Sequence, residues 1–273
     1  MALQNEFSLT DKVIVVTGGT GILGEAFING IARAGGTVGV LGRNEKVAAE
    51  RAASINSIGG KAIVLIADVK NNQQLVDARK KVLDTYGKID GLVNAAGGNI
   101  PGAVIQPDQD IFDLNFKALE EVMNLNLFGT LLPTQVFGAA LKENDGGSIV
   151  NISSMAPQKV ITKVLGYSMA KAAIDTYTRW FSVELGKRYG DKIRMNAIAP
   201  GFFLTEQNRL LLTDGNGNLT ERGNLVIKNT PFNRFGNPDE LVGALIWLLS
   251  DASKFVSGTV VNVDGGFSVF SGV

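Results

Sequence analysis

Short apolar runs alternate with longer amphipathic segments along almost the whole chain. The runs are apolar at consecutive positions and rich in β-branched residues, which is typical of strands buried on both faces of a sheet. They cover Val13–Val16, Val38–Leu41, Ala62–Ala67, Ile89–Val93, Ile149–Ile152, Ile193–Ala199 and Val260–Val263. We interpret these runs as the strands of a parallel seven-stranded sheet.

The segments between these runs have the spacing of amphipathic helices. Asn44 and Asn71 stand where N-caps are expected, and Gly35, Gly59 and Gly87 stand where helices should end. The helices are predicted at Ile22–Ala34, Glu45–Ile58, Gln73–Tyr86, Leu114–Leu141, Gly166–Arg188 and Asp239–Leu249. Such alternation predicts a doubly wound α/β fold, and because no linker or repeat interrupts it we expect a single domain over residues 1–273.

One segment of about forty residues before Asp239 contains no strand pattern. A turn cluster at Asp214–Asn218 separates two short predicted helices, near Glu206–Leu212 and Glu221–Lys228. Their apolar residues favour a packed helical lid, inserted at about residues 202–236. These residues are Leu210, Leu211, Leu212, Leu225, Val226 and Ile227.

The amino-acid composition excludes several kinds of functional site. The 273 residues include 26 Lys plus Arg, 26 Asp plus Glu, and neither His nor Cys. Disulfides are excluded and a zinc or haem site has almost no ligands, so we expect no metal centre, although carboxylates could still bind Mg²⁺. The balanced charge and the lack of a run of basic residues do not favour binding to nucleic acid or to a membrane surface. The N-terminus does not resemble a signal peptide. The longest apolar stretches, such as Ala244–Leu249, are too short to span a membrane, so we expect a cytoplasmic protein.

Tyr167 and Lys171 stand four residues apart, and Ser154 lies thirteen residues before the tyrosine. Because His and Cys are missing, acid–base chemistry must rely on Tyr, Lys or a carboxylate. Residues at this spacing share one helix face, and a nearby ammonium favours the phenolate. Tyr167 is therefore a candidate acid or base near neutral pH, although such a pair can also be a solvated helix face.

A glycine-rich turn, Thr17–Gly24, follows the first predicted strand and precedes a helix. Gly19-x-Gly21-x-x-Gly24 matches the dinucleotide fingerprint of a Rossmann fold, in which backbone N–H groups and the helix N-terminus hold a pyrophosphate. At the end of the second strand no acid stands where an NAD site would carry one, and Arg43 lies next to that place, which tilts the prediction toward NADP over NAD. Arg43 could also only stack on the adenine or point to solvent. Asp68 and Val69 end the third strand, where an adenine edge would fall, but Asp68 could equally be a helix cap.

Together these features resemble the single-domain form of the short-chain dehydrogenase/reductase family, over essentially the whole chain. The matching motifs are Thr17–Gly24, Asn94-Ala95-Ala96-Gly97, Asn126-x-x-Gly129, Ile152-Ser153-Ser154, Tyr167-x-x-x-Lys171, Asn196–Gly201 with Thr205, and Val263–Gly266. The resemblance implies an NAD(P)-dependent oxidoreductase that acts on a ketone or secondary alcohol.

The resemblance also implies the roles of individual residues. Ser154 would hold the substrate oxygen, Tyr167 would be the general acid/base, and Lys171 would lower the pKa of Tyr167 and bind the nicotinamide ribose. Asn126 would anchor a water that relays protons from Lys171. The implied coenzyme contacts are Gly18, Thr20, Gly21, Ile22, Gly24, Arg43, Asp68, Val69, Asn94, Ala95, Gly97, Tyr167, Lys171, Pro200, Gly201 and Thr205.

The turn departs from the family's usual pattern in one respect. Ile22 stands where the middle glycine is usual and the glycine comes one residue earlier, at Gly21. The basic residue common in the turn of NADP-using members is absent, which weakens the argument from Arg43.

Three segments look like a sugar-acid branch of the family: Gly97–Gly102, the start of the insertion at Phe202–Arg209, and the tail at Gly266–Val273. Within that branch the chain is most similar to D-mannonate oxidoreductases, with gluconate 5-dehydrogenases as close neighbours. A hexonate pocket needs a cation and several polar groups. The candidate cations are Arg209, Lys159 and Lys163, and the candidate polar contacts, with Ser154, are Asn99, Gln158, Gln207 and Asn208.

Alternatives stay open at this point. A 3-oxoacyl-carrier-protein reductase would share the fold and the catalytic residues. A non-catalytic nucleotide sensor would usually have lost the tyrosine or lysine, and an extended epimerase or dehydratase would need a further substrate domain. By resemblance we expect a homotetramer or homodimer, in which the helices bearing Asn126 and Tyr167 pack across a two-fold and Phe267 and Phe270 are buried.

Overall fold

Seven parallel strands form one sheet in the computed structural model, which describes residues 6–205 and 208–272. The strands are β1 Val13–Thr17, β2 Thr37–Gly42, β3 Lys61–Ile66, β4 Gly91–Asn94, β5 Gly147–Ile152, β6 Ile193–Pro200 and β7 Val260–Val263. Their order is β3-β2-β1-β4-β5-β6-β7, and all neighbours are parallel. The sheet therefore changes winding direction between β1 and β4, where doubly wound folds open a crevice at the carboxyl ends of the strands.

Helices cover both faces of the sheet, as the alternation predicts. They are α1 Ile22–Arg33, α2 Glu45–Ser57, α3 Asn72–Tyr86, α4 Phe116–Met123, α5 Gly129–Glu143, α6 Leu165–Tyr189, α7 Arg209–Leu212, α8 Glu221–Lys228 and α9 Val242–Leu249. One core, around Phe27 and Leu245, joins α1, α2 and α9 to the sheet, and another, around Phe137, joins α3, α5 and α6. Asn44 and Asn71 cap α2 and α3 as predicted, accepting from the N–H groups three residues ahead.

The long helix predicted over Leu114–Leu141 runs from Phe116 to Glu143 and contains a π-helical turn. Asn115 caps α4, a π-helical turn follows at Asn124–Phe128, and α5 continues to Glu143. The Gly129 N–H reaches back five residues to the Asn124 carbonyl, which a pattern of apolar residues cannot reveal. π-helical turns often mark functional sites, and Asn126 lies within this one.

The insertion at residues 202–236 forms a small unit beside the sheet's carboxyl edge. A bridge pairs Phe203 with Gly236 at its base, and a second pairs Thr213 with Leu219. Helix α8 has the predicted bounds, whereas the predicted start of the preceding helix at residues 206–207 lies outside the described part of the chain. Packing is only partial, because Leu212 and Val226 are buried while Leu210 is 83% exposed.

Within residues 6–205 and 208–272, no helix has both the length and the apolar character needed to cross a bilayer.

Candidate active site

Side chains from β5 and α6 meet at the carboxyl edge of the sheet. Ser154 follows β5 by two residues, and Tyr167 and Lys171 occupy successive turns at the start of α6. All three line one cavity of about 660 Å³, which extends from the ends of β4, β5 and β6 to the insertion. The sequence-predicted group of Ser154, Tyr167 and Lys171 is thus brought together by the fold.

The Tyr167 phenol is half-buried, and Lys171 Nζ lies 5.5 Å from the centre of its ring. Burial raises the pKa of the Tyr167 phenol above its ordinary value, and a hydrogen bond with Ser154 lowers it by less. Without coenzyme, these effects keep the phenol protonated at neutral pH. That Lys171 lowers this pKa stays a prediction. A protonated phenol is the form that a proton donor requires.

Lys171 is buried, and its Nζ donates a 2.7 Å hydrogen bond to the carbonyl oxygen of Ile152. Burial lowers the pKa of the Lys171 ammonium to about 8, while the charge of Asp175 acts in the opposite direction. Asp175 lies one turn further along α6, is also buried, and accepts a hydrogen bond from the Ser153 hydroxyl. Sequence reasoning missed Asp175, although its spacing from Lys171 places both on one helix face.

Asn126 is fully buried, and its side chain forms hydrogen bonds with backbone groups. Its Nδ2 donates to the carbonyl oxygens of Gly98 at 2.7 Å and Val122 at 2.9 Å, and its Oδ1 accepts from the Gly98 N–H at 2.9 Å. A Cβ at Gly97 would lie 2.7 Å from Asn126 Oδ1 and 3.4 Å from Lys171 Nζ. The Asn126 side chain thus holds the loop after β4 in place beside Lys171. The role of Asn126 in a proton relay stays a prediction.

The turn between β1 and α1 packs closely on itself and on the loop after β4, so that side chains at two of its glycines would collide with backbone. Gly18 has a φ of +66°, and a Cβ there would lie 2.8 Å from backbone atoms of Ala95. A Cβ at Gly24 would lie 2.1 Å from the Gly18 carbonyl oxygen. Gly21 is the N-cap of α1 and Ile22 its first residue, and no cap side chain bonds the first N–H groups. This helix N-terminus fits the pyrophosphate of a dinucleotide despite the shifted glycine.

A basic side chain reaches this turn from another element. Arg51 of α2 donates hydrogen bonds to the carbonyl oxygens of Gly19 at 2.6 Å and Gly21 at 2.8 Å, and pairs with Glu25 at 2.8 Å. In a trans peptide the carbonyl and the following N–H point in opposite directions. Arg51 therefore turns the N–H groups of Thr20 and Ile22 away from itself. Sequence reasoning missed Arg51, because no motif links α2 to the turn.

The predicted ribose and adenine contacts gather at the ends of β2 and β3, outside the cavity. The Arg43 side chain is 73% exposed, with Nη1 4.0 Å from Asp68 Oδ2. Asp68 Oδ1 accepts from the Lys70 N–H, so Asp68 organises the turn before α3 while Asn71 is the cap. Val69 is buried against α5, where a Cβ at Gly129 would lie 2.9 Å from its Cγ2.

The remaining predicted coenzyme contacts divide into two groups. Those that line the cavity are Ala95, Gly97, Pro200, Gly201 and Thr205. Asn94 is not among the lining residues, and its contact with the coenzyme stays a prediction. It is buried and donates to Thr134 Oγ1 and Asn151 Oδ1, each at 2.9 Å, and so joins β4 to β5 and α5.

Only part of the predicted substrate set reaches the cavity. Asn99 and Asn208 line it. Gln158 does not, because its amide is paired with Asn262 at 2.8 Å in both directions. Arg209 is exposed on α7 and is not a lining residue.

The other predicted cations are also elsewhere. Lys159 Nζ donates to the carbonyl oxygen of Phe270 at 2.8 Å, Lys163 does not line the cavity, and Gln207 lies outside the described residues. The structure instead brings Arg222 of α8 into the wall. Sequence reasoning missed Arg222, since nothing local distinguishes it from other arginines.

Comparison with known proteins identifies the family. A family model described as enoyl-(acyl carrier protein) reductase matches residues 20–268. The uncharacterised oxidoreductase UxuB of Bacillus subtilis is 39% identical over 275 residues, covering 97% of this chain and 98% of that protein.

Two solved structures share the fold over nearly their full lengths. A protein from Haemophilus influenzae, provisionally named D-mannonate oxidoreductase and solved with bound NAD, is 40% identical with a TM-score of 0.90, covering 100% of both chains. A gluconate 5-dehydrogenase from Burkholderia cenocepacia, in complex with NADP and tartrate, is 31% identical with a TM-score of 0.86, covering 98% of this chain and 99% of that chain. The chain belongs to the short-chain dehydrogenase/reductase family of NAD(P)-dependent oxidoreductases.

Proposed function

We propose that this oxidoreductase transfers hydride between a nicotinamide coenzyme and a ketone or secondary alcohol of a sugar acid. The first candidate is the interconversion of D-mannonate and D-fructuronate, and the alternative is a gluconate 5-dehydrogenase reaction. The observation that carries the proposal is that Ser154, Tyr167 and Lys171 share one cavity with Asn99, Asn208 and Arg222. A proton donor and groups suited to hydroxyls and a carboxylate thus face the same space.

The chain's own residues supply proton transfer and orientation. When bound, the coenzyme supplies a hydride to the carbonyl carbon in reduction, or accepts it in oxidation. The Ser154 hydroxyl donates a hydrogen bond to the substrate oxygen, and the Tyr167 phenol gives its proton to that oxygen as the alcohol forms. Lys171 holds the nicotinamide ribose and stabilises the phenolate that results. Asn126 holds the loop at Gly98, and it takes part in returning a proton to Tyr167 through Lys171.

The coenzyme is held along the carboxyl edge of the sheet. The uncapped N-terminus of α1 would hold the pyrophosphate, because its first N–H groups have no cap side chain and suit an anion. The residues proposed for this contact are Gly18, Thr20, Gly21, Ile22 and Gly24. The residues that would hold the adenosine are Arg43, Asp68 and Val69. The lining residues that would hold the nicotinamide end are Ala95, Gly97, Pro200, Gly201 and Thr205.

The choice of a sugar acid rests on the cavity and on the relatives. Among the described residues that line the cavity, Lys171 and Arg222 are cationic and none is acidic. An anionic substrate is favoured in such a space, since the wall offers a positive charge. The relatives named for D-mannonate and gluconate chemistry point to the same substrate class.

One experiment tests the proposal directly. The absorbance of reduced nicotinamide is followed with a panel of hexonates and ketohexonates, 3-oxoacyl thioesters and enoyl thioesters, each with both coenzymes. We expect turnover with hexonates, D-mannonate first. Activity confined to the thioesters would replace the proposal with an acyl reductase, and no activity with any hexonate would overturn it.

We also propose that copies of the chain assemble through the outer face of α6. Met169, Trp180 and Val183 are each about half exposed there, at 49%, 63% and 55%, and recur at helical spacing. Sedimentation should show a dimer or tetramer that Trp180→Glu weakens. Ile58→Glu, at the exposed end of α2, is the matched control and should leave the assembly unchanged. A monomeric wild-type protein would contradict this proposal.

A further inference from the structure

Arg222 is a half-buried arginine in the wall of the active-site cavity. Its Nη1 donates to the Thr162 hydroxyl at 3.2 Å and its Nη2 to the Thr162 carbonyl oxygen at 3.1 Å. Both partners are neutral, so these bonds orient the guanidinium without cancelling its charge. A guanidinium has five N–H donors in a planar fork, so donors remain for a further acceptor.

The fold fixes where this guanidinium stands. Thr220 caps α8 by accepting from the Gly223 N–H at 3.0 Å. Gly223 packs so closely on α7 that a Cβ there would lie 2.1 Å from the Leu212 carbonyl oxygen. Arg222, between the cap and this contact, is directed toward Thr162 on the loop that leads into α6. Arg222 thus joins the insertion to the segment that carries Tyr167.

The charges around the cavity single out Arg222. The other cation in the described wall, Lys171, has the buried carboxylate of Asp175 one turn away and raising its pKa. No acidic side chain is among the described lining residues, so no carboxylate of the described wall neutralises the charge of Arg222. The planar fork of an arginine matches a carboxylate bidentately, and partial burial strengthens that pairing relative to water.

We propose that Arg222 binds the carboxylate of the substrate and is a specificity-determining residue of this enzyme. The inference rests on the proposed function, since it assigns the acid group of the sugar acid to one side chain. It replaces Arg209, Lys159 and Lys163 as the predicted cation. With the carboxylate at Arg222 and the reacting oxygen at Ser154 and Tyr167, the carbon chain lies across the cavity, where Asn99 and Asn208 can contact its hydroxyls.

The test compares a carboxylate substrate with a neutral one. For wild type, Arg222→Met and Arg222→Lys, kcat/KM is measured with the best hexonate and with the matching uncharged compound, in which an amide or alcohol replaces the acid. We expect Arg222→Met to lose about 10- to 100-fold with the hexonate, mainly through KM, and little with the neutral compound. Arg222→Lys should recover part of the loss, because it keeps the charge without the fork. The KM for coenzyme should not change.

Lys228→Met is the matched control, since Lys228 is an exposed cation on the same helix. It should behave as wild type. Equal losses on both substrates, or no loss in Arg222→Met, would overturn the assignment of Arg222 while leaving the proposed function intact. A wild-type enzyme with no hexonate activity would instead overturn the proposed function. If Arg222→Met fails to fold by thermal unfolding, Arg222→Gln and Arg222→Lys carry the same comparison.

Discussion

Lys171 and Asp175 bind consecutive residues at the end of β5. The Lys171 ammonium donates to the carbonyl oxygen of Ile152 at 2.7 Å, and the Asp175 carboxylate accepts from the hydroxyl of Ser153. One face of α6 therefore holds the two residues that precede Ser154. The helix that carries the proposed proton donor also positions the proposed substrate-binding hydroxyl, so the relative geometry of Ser154 and Tyr167 depends on this double contact.

The titration of Lys171 predicts an alkaline limit to coenzyme use. Because burial lowers its pKa to about 8, the side chain is charged below that pH and neutral above it. If the charge holds the nicotinamide ribose, kcat/KM for the coenzyme should be level below about pH 8 and fall about tenfold per unit above it. Lys171→Arg, which stays charged, should lose this decline even at reduced activity. A wild-type profile that stays flat into the alkaline range would contradict the role.

Asp175→Asn should move that alkaline limit to lower pH. The Asp175 charge raises the pKa of Lys171, so its removal lets burial lower the pKa further. The pH profile of kcat/KM for coenzyme measures the shift, which a merely structural effect would not produce. Glu184→Gln removes a carboxylate from the same helix, where Glu184 pairs with Arg188 at 3.0 Å, and should leave the profile in place. An unshifted limit in Asp175→Asn would reject the electrostatic role.

Tyr167→Phe should abolish turnover while leaving coenzyme binding largely intact. The substitution removes the proposed proton donor but keeps the ring beside Lys171. We expect kcat to fall about 1,000-fold or more, because acid–base catalysis typically contributes ~10²–10⁴-fold. Fluorescence titration with reduced coenzyme measures binding. Tyr189→Phe, at the far end of α6, is the control. Near wild-type ketone reduction by Tyr167→Phe would show that the mechanism is wrong.

Arg51→Met should weaken coenzyme binding with little effect on kcat. The side chain fixes the carbonyls of Gly19 and Gly21, and with them the N–H groups proposed to bind pyrophosphate. We expect a roughly tenfold higher Kd for both coenzymes, consistent with the loss of charge-assisted hydrogen bonds. Arg33→Met is the matched control and should leave coenzyme affinity unchanged, because Arg33 is 59% exposed and its ion pair with Asp239 is 3.4 Å long. Unchanged coenzyme affinity in Arg51→Met would mean that the turn holds its shape without the arginine.

Arg43→Ala decides whether the residue after β2 selects the coenzyme. Its guanidinium is exposed and 4.0 Å from Asp68, so it can turn toward a 2′-phosphate at small cost. We expect KM for NADPH to rise about tenfold while KM for NADH changes little. Steady-state kinetics with both coenzymes provide the measurement. Equal effects on the two, or none on NADPH, would remove Arg43 as a discriminator.

The chain's apolar pattern was sufficient to predict the sheet and most helices. Consecutive β-branched runs have few alternatives to a buried parallel sheet, and the caps at Asn44 and Asn71 depend on contacts within a few residues. Its motifs likewise placed Ser154, Tyr167 and Lys171, since chain order in a doubly wound fold brings strand ends and helix starts to one edge. The π-helical turn at Asn126 was not predictable, because it alters hydrogen bonding without altering composition.

Tertiary structure alone decided which charged side chains surround the site. Arg51 contacts Gly19 from 32 residues away and Arg222 contacts Thr162 from 60 residues away. Arg209, which the sequence favoured, lies outside the cavity while Arg222 lines it. Local sequence fixes periodicity, caps and turns because these depend on neighbours along the chain. The position of a long cationic side chain depends instead on how separate elements pack, and here the packing of α8 on α7 sets the charge that the substrate meets.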